Sequence, residues 1–109
     1  MPKPWRLTRQ AEASLTNIAQ WTIESFGPRQ ADAYEDDLIE RCRAIADGRA
    51  QSQSCRIIDP DLPDDLRFTR RGQHFIVFVE GAEAVVIVDF LHSRSDLPAR
   101  LARLSEPDC

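Results

Sequence analysis

The sequence is nearly without lysine. Lys3 is the only one among fourteen basic residues, so the positive charge is almost all arginine, the side chain suited to planar two-point contacts with carboxylates and phosphates. Those fourteen face eighteen acids, for a net charge of −4. Proteins that hold nucleic acid tightly show the opposite balance, because phosphate neutralisation supplies most of their affinity; strong direct nucleic-acid binding is not expected. The four glycines stand singly, which leaves no glycine-rich phosphate loop. Cys42, Cys55 and Cys109 are widely spaced, with only His74 and His92 as further soft ligands. A zinc site needs four ligands in a recognisable grouping, so no metal and no cofactor are expected. Cys42 reads as a small core residue, Cys55 and Cys109 as incidental thiols in a reducing compartment. No apolar run approaches the ~18 residues of a membrane span, and the opening Met1-Pro2-Lys3-Pro4-Trp5 lacks an apolar signal region. The expected setting is the cytoplasm, without membrane contact.

The 109 residues make one domain, residues 1 to 109, with no internal repeat. Hydrophobic residues at 42% and charged ones at 29% place the chain with folded rather than disordered proteins. A chain this short buries only about two-thirds of its unfolded surface, which leaves a thin stability margin and makes dependence on a partner plausible.

Trp5-Arg6-Leu7 reads as a short strand and Thr8 as a helix N-cap. From Arg9 to Phe26, Ala11, Leu15, Ile18, Thr22 and Phe26 recur at spacings of three and four, the stripe of an amphipathic helix, with Trp21 at its rim. Gly27-Pro28 breaks it and opens a second helix from Arg29 to Asp47, striped by Ala31, Tyr34, Leu38, Cys42 and Ile45. A break this short predicts an antiparallel helical hairpin. Arg49 to Asp65 loses all periodicity and reads as a long connection. Three strands follow: Leu66–Arg70, Gln73–Glu80 and Ala84–Leu91, joined by short turns into an antiparallel meander. The last is apolar on both faces and is expected inside the sheet. Asp96, Leu97 and Pro98 start a short C-terminal helix that ends near Leu104. The expected class is α+β, in the order β-α-α-β-β-β, with the helical hairpin packed on a small antiparallel sheet.

The densest polar cluster is Leu91-His92-Ser93-Arg94-Ser95-Asp96. On extended chain His92, Arg94 and Asp96 project to one side, and that trio could serve acid–base chemistry with anion stabilisation. The plainer reading makes Asp96 a helix cap, with Arg94 and His92 in local structural bonds. Between residues 66 and 104 six arginines, Arg70 and Arg71 among them, meet four acids, which has two readings: a modestly basic side of the sheet, or scattered solvated arginines paired with carboxylates. Trp21 has two readings, a core residue or the anchor of a protein interface, where tryptophan is over-represented.

Three stretches resemble the ParE-type toxins of the RelE/ParE superfamily: Trp5-Arg6-Leu7-Thr8-Arg9-Gln10-Ala11 with Leu15 and Ile18; Leu66-Arg67-Phe68 with Gly72-Gln73-His74-Phe75-Ile76-Val77-Phe78; and Val86 to Pro98. The last, with Leu91-His92-x-Arg94-x-Asp96, is the most specific. The resemblance implies a bacterial type II toxin, a poison of DNA gyrase silenced by a ParD-like antitoxin whose extended C-terminal part wraps it. The RelE branch instead cleaves messenger RNA on the ribosome with basic residues and usually a C-terminal tyrosine. This chain departs from that branch: it is acidic, its one tyrosine, Tyr34, lies on the second helix, and the tail Ser105-Glu106-Pro107-Asp108-Cys109 offers no acid–base pair. The middle strand carries Phe78, Val79 and Glu80 where many ParE-like chains have tyrosine and arginine.

The reading is therefore a non-enzymatic toxin with no catalytic residue. Its target or antitoxin contacts are expected at His92, Arg94 and Asp96, with Arg70 and Arg71 nearby and Trp21 and Phe78 as apolar anchors. The alternative is a ribosome-dependent endoribonuclease, with His92 as acid or base and Arg94 and Arg70 on phosphate. A plain interaction module that has lost toxicity is the third.

Overall fold

The computed structural model describes residues 3 to 104; the readings of the Ser105–Cys109 tail and of the Cys109 thiol lie outside the described residues. Strand β1 (Trp5–Leu7) leads into helices α1 (Arg9–Phe26) and α2 (Pro28–Ala46). A two-residue strand β2 (Gln53–Ser54) runs into a 3-10 turn (Cys55–Ile57), and strands β3 (Leu66–Arg71), β4 (His74–Glu80) and β5 (Val85–His92) precede helix α3 (Leu97–Leu104).

Local chemistry accounts for the helical hairpin. Thr8 Oγ1 accepts the Ala11 N–H at 3.1 Å and donates to the Val88 carbonyl at 2.7 Å, so one side chain caps α1 and ties it to β5. Thr22 sits buried on the apolar stripe because its hydroxyl donates to the Ile18 carbonyl at 2.7 Å. Gly27, at φ +94°, is the single residue between the helices, and Pro28 opens α2 where no amide N–H is needed.

The meander is antiparallel as expected, but β1 lies parallel against β5 and β2 adds a fifth strand, so the sheet is mixed, in the order β1-β5-β4-β3-β2. A pairing between the two ends of a chain leaves no local signature. The 49–65 stretch, expected to hold no element, contains β2 and the 3-10 turn. It is held down because Cys55 and Leu62 are buried in a core of their own, and Arg67 donates to the Ser52 hydroxyl and carbonyl at 2.9 and 3.0 Å. Cys55 is thus a core residue, like Cys42, and burial pushes its thiol up to about 11.

Two clusters lie on the two faces of the sheet, as period-two alternation requires. Against the hairpin pack Leu38, Cys42, Ile45, Ile76, Phe78 and Ile87; beyond the sheet, Cys55, Leu62, Leu66, Val77, Leu91 and Leu101 form the second. Phe78 is only 2% exposed, which overturns its expected role as a surface anchor; its β4 position alternates onto the hairpin face. A bulge leaves Val88 between the partners of Val77 and Phe78. The extra residue lets Ile87 and Phe90 both join the hairpin core, where strict alternation would part them.

The hairpin also overshoots the sheet. The Thr8 amide donates to the Ile87 carbonyl at 3.0 Å, so α1 starts partway along β5. Its 18 residues span ~27 Å at ~1.5 Å each. From Ile87 to His92 the strand covers only ~17 Å at ~3.3 Å per residue. The last turns of α1 and the first of α2 therefore project past the sheet end.

Candidate functional site

The projecting tip roofs a cleft of about 430 Å³. Helix α1 supplies Trp21, Thr22 and Phe26, and α2 supplies Gln30 and Tyr34 one turn apart. The floor comes from the sheet end, with Gln73 and His74 from the β3–β4 turn and β4, and His92 and Arg94 from the end of β5 and the turn after it. The rim is apolar and open: Trp21 is 55% exposed and Phe26 63%. Their rings meet edge to face at 5.8 Å.

The floor is built by strand pairing. His74 and His92 are direct partners across β4 and β5, so both side chains leave the same face, with ring centroids 5.2 Å apart. Tyr34 holds the first of them. Its hydroxyl lies 2.6 Å from His74 Nδ1 and 3.2 Å from the Arg71 carbonyl, and accepts the Gln73 N–H at 3.1 Å. Gly72, between them at φ +59°, has no room for a side chain, since a Cβ there would fall 2.7 Å from the Tyr34 ring. Burial, with His92 alongside, pushes His74 down to about 4. Burial likewise pushes the Tyr34 phenol up. His92 Nδ1 accepts the Arg94 amide at 3.0 Å, which leaves Nε2 to carry the ring proton. Ser95 closes the turn with its amide and hydroxyl on the His92 carbonyl.

Of the residues singled out from sequence, the structure brings Trp21, His92 and Arg94 together. It does not bring Asp96: β5 ends at His92 and the chain turns, so the expected one-sided projection fails, and Asp96 Oδ1 accepts the Ala99 amide at 3.3 Å at the start of α3. Arg71 pairs with Asp37 at 3.4 Å, and its backbone rather than its guanidinium holds Tyr34. Arg70 donates to the Gly72 carbonyl at 3.0 Å and lies over the Phe75 ring, beside a separate depression of about 620 Å³. Sequence reasoning missed Tyr34 and His74. A phenol on an otherwise apolar stripe was the available signal for Tyr34. The facing of the two histidines passes through a bulge and had none.

The cleft presents aromatic surface, two amides and hydrogen-bond donors, with no carboxylate among its lining residues. No group of three or more metal-ligating side chains occurs among the described residues, and no described helix is long and apolar enough to cross a membrane.

The family described as ParE toxin of type II toxin-antitoxin system, parDE, matches residues 5–97. The chain belongs to the ParE toxin family. Curated relatives agree. Toxin ParE of Escherichia coli is 31% identical over 97 residues, covering 88% of this chain and 90% of the relative. Toxin ParE1 of Caulobacter vibrioides (strain ATCC 19089 / CIP 103742 / CB 15) is 30% identical over 99 residues, covering 91% and 98%. A solved chain of the chromosomal ParDE TA system from P. aeruginosa shares the fold, with a TM-score of 0.65 at 17% identity, over 83% of this chain and 95% of that one. In this ParE-family chain every residue lining the cleft lies within the matched stretch.

Proposed function

We propose that this chain is the toxin of a type II pair that arrests growth by binding DNA gyrase in the cytoplasm, makes and breaks no bond itself, and is silenced by a ParD-like antitoxin. The observation that carries the reading is the ParE-family match across residues 5–97. The site supports it: the exposed Trp21 and Phe26 rings beside Arg94 suit protein recognition, since aromatic and arginine side chains dominate interface energetics. His92 and Arg94 are the polar contacts of this surface. Arg70, Arg71 and Asp96 lie away from it and serve, in this reading, as outlying contacts of the antitoxin.

Expression of the chain alone tests the proposal. Filamentation with DNA damage, and stabilised gyrase–DNA cleavage complexes with purified protein, are the expected outcome. Arrested translation with cleaved messages would instead establish the ribosome-dependent endoribonuclease. Normal growth would establish an inactive interaction module. Co-expression of the cognate antitoxin should restore growth under either toxin reading.

A further inference from the structure

The cleft at the hairpin tip is chemically one-sided. Its lining residues include a guanidinium, two amides and two imidazoles, but no acid. Among the described residues Arg94 has no ion-pair partner, whereas Arg49, Arg56, Arg67 and Arg71 each have one. His74 is 6% exposed; its Nδ1 is engaged by Tyr34, while no partner for Nε2 occurs among the described residues. His92, with its Nδ1 taken by the Arg94 amide, has Nε2–H to donate. Arg94 and the His92 Nε2–H ask the occupant for acceptors, and the walls of Trp21, Phe26 and Tyr34 ask for an apolar or aromatic group.

We propose that the cleft captures a partner polypeptide through an aromatic or large aliphatic side chain set one or two residues from a carboxylate. The side chain packs in the cleft against the Trp21 and Phe26 rings, and the carboxylate meets Arg94 and His92. A nucleic acid fits less well: its affinity needs several phosphate contacts, and here one guanidinium lines the cleft on a chain of net charge −4. A second copy would set −4 against −4. The inference rests on the reading that this protein works by binding another protein, and it names the chemistry of what is bound.

A random dodecapeptide phage library selected on the folded chain tests it, followed by fluorescence anisotropy with a labelled peptide of the enriched sequence. Enrichment of an apolar residue within two positions of Asp or Glu is expected. Trp21→Ala and Arg94→Glu should each weaken the peptide at least tenfold, and Arg103→Glu, on the far helix, should leave it unchanged. Replacing the peptide's acid by lysine should restore binding to Arg94→Glu, a charge reversal that a merely folded or unfolded state cannot mimic. No enrichment, enrichment without acids, indifference to Trp21→Ala, or tighter capture of a single-stranded dodecanucleotide would each overturn the proposal. So would a dimer in sedimentation that Trp21→Ala dissolves. The selection uses neither gyrase nor antitoxin, so a failed gyrase assay leaves its result standing, and a failed selection leaves the growth assay standing.

Discussion

The two ends of the helical hairpin are written in the same apolar code and end in opposite states. At the end nearer the sheet middle, Ala11, Leu38, Cys42 and Ile45 are closed against Ile76 and Ile87. At the tip, Phe26 continues the stripe of Ala11, Leu15, Ile18 and Thr22, yet is 63% exposed. The difference is not in the helices but in what lies beneath them. The sheet runs out at His92, so the last turns of the stripe have no strand to cover. An apolar stripe longer than its support becomes a binding face, and this one borrows its floor from the polar residues at the strand ends.

The comparison can be broken most sharply in the closed end. Leu38→Ala, at a site with no exposure, should cost about 2–5 kcal/mol, read by urea unfolding. A cost below about 1 kcal/mol would mean that this end is not the close-packed one. At the junction, Gly72→Ala must place a Cβ against the Tyr34 ring at a left-handed backbone position. It should cost about 1–3 kcal/mol, with loss of the Gln73 amide protection in hydrogen exchange. Tyr34→Phe, which removes the hydroxyl shared by Gln73, Arg71 and His74, should cost about 1–2 kcal/mol by the same unfolding assay.

Acid sharpens the comparison further. The unfolded His74 imidazole takes its proton near 6.5 and the folded one near 4. The unfolded state therefore binds more protons between those values, and the stability owed to His74 shrinks as pH falls through that window. Asp89, pushed up by burial despite its 2.5 Å bond from Ser14, acts in the opposite sense. Comparison with His74→Gln isolates the histidine: the variant should lose less stability between pH 6.5 and pH 4, and parallel profiles would refute the burial argument. The smallest effect belongs to the open end. Trp21→Ala should change stability by no more than about 0.5 kcal/mol, as exposed substitutions do, while reducing toxicity in the growth assay. A loss comparable to that of Leu38→Ala would place Trp21 in the core after all.

Much of this was readable beforehand. The bounds of α1, the N-cap at Thr8, the hairpin break at Gly27-Pro28 and the antiparallel meander follow from spacing and turn chemistry, which are local. The site was half readable. Trp21, His92 and Arg94 stood out as residue types, but Asp96, taken as their companion by alternation, belongs to the start of α3. Phe78 shows the limit most plainly. An aromatic on a strand gives no sign of which face it occupies until the strand is placed against the hairpin, and only that packing puts Phe78 beside Ile76 in the hairpin core.

The amino-acid order by itself determined the α+β class, the hairpin, the meander and the acidic net charge, because periodicity, capping and charge act within a few residues or over the whole chain. Tertiary structure alone decided that β1 joins β5 in parallel, that His74 faces His92 under Tyr34, and that the hairpin outruns the sheet. Those outcomes come from the relative lengths and offsets of elements distant in sequence, set by packing both faces of one sheet at once, and no window of neighbouring residues encodes them.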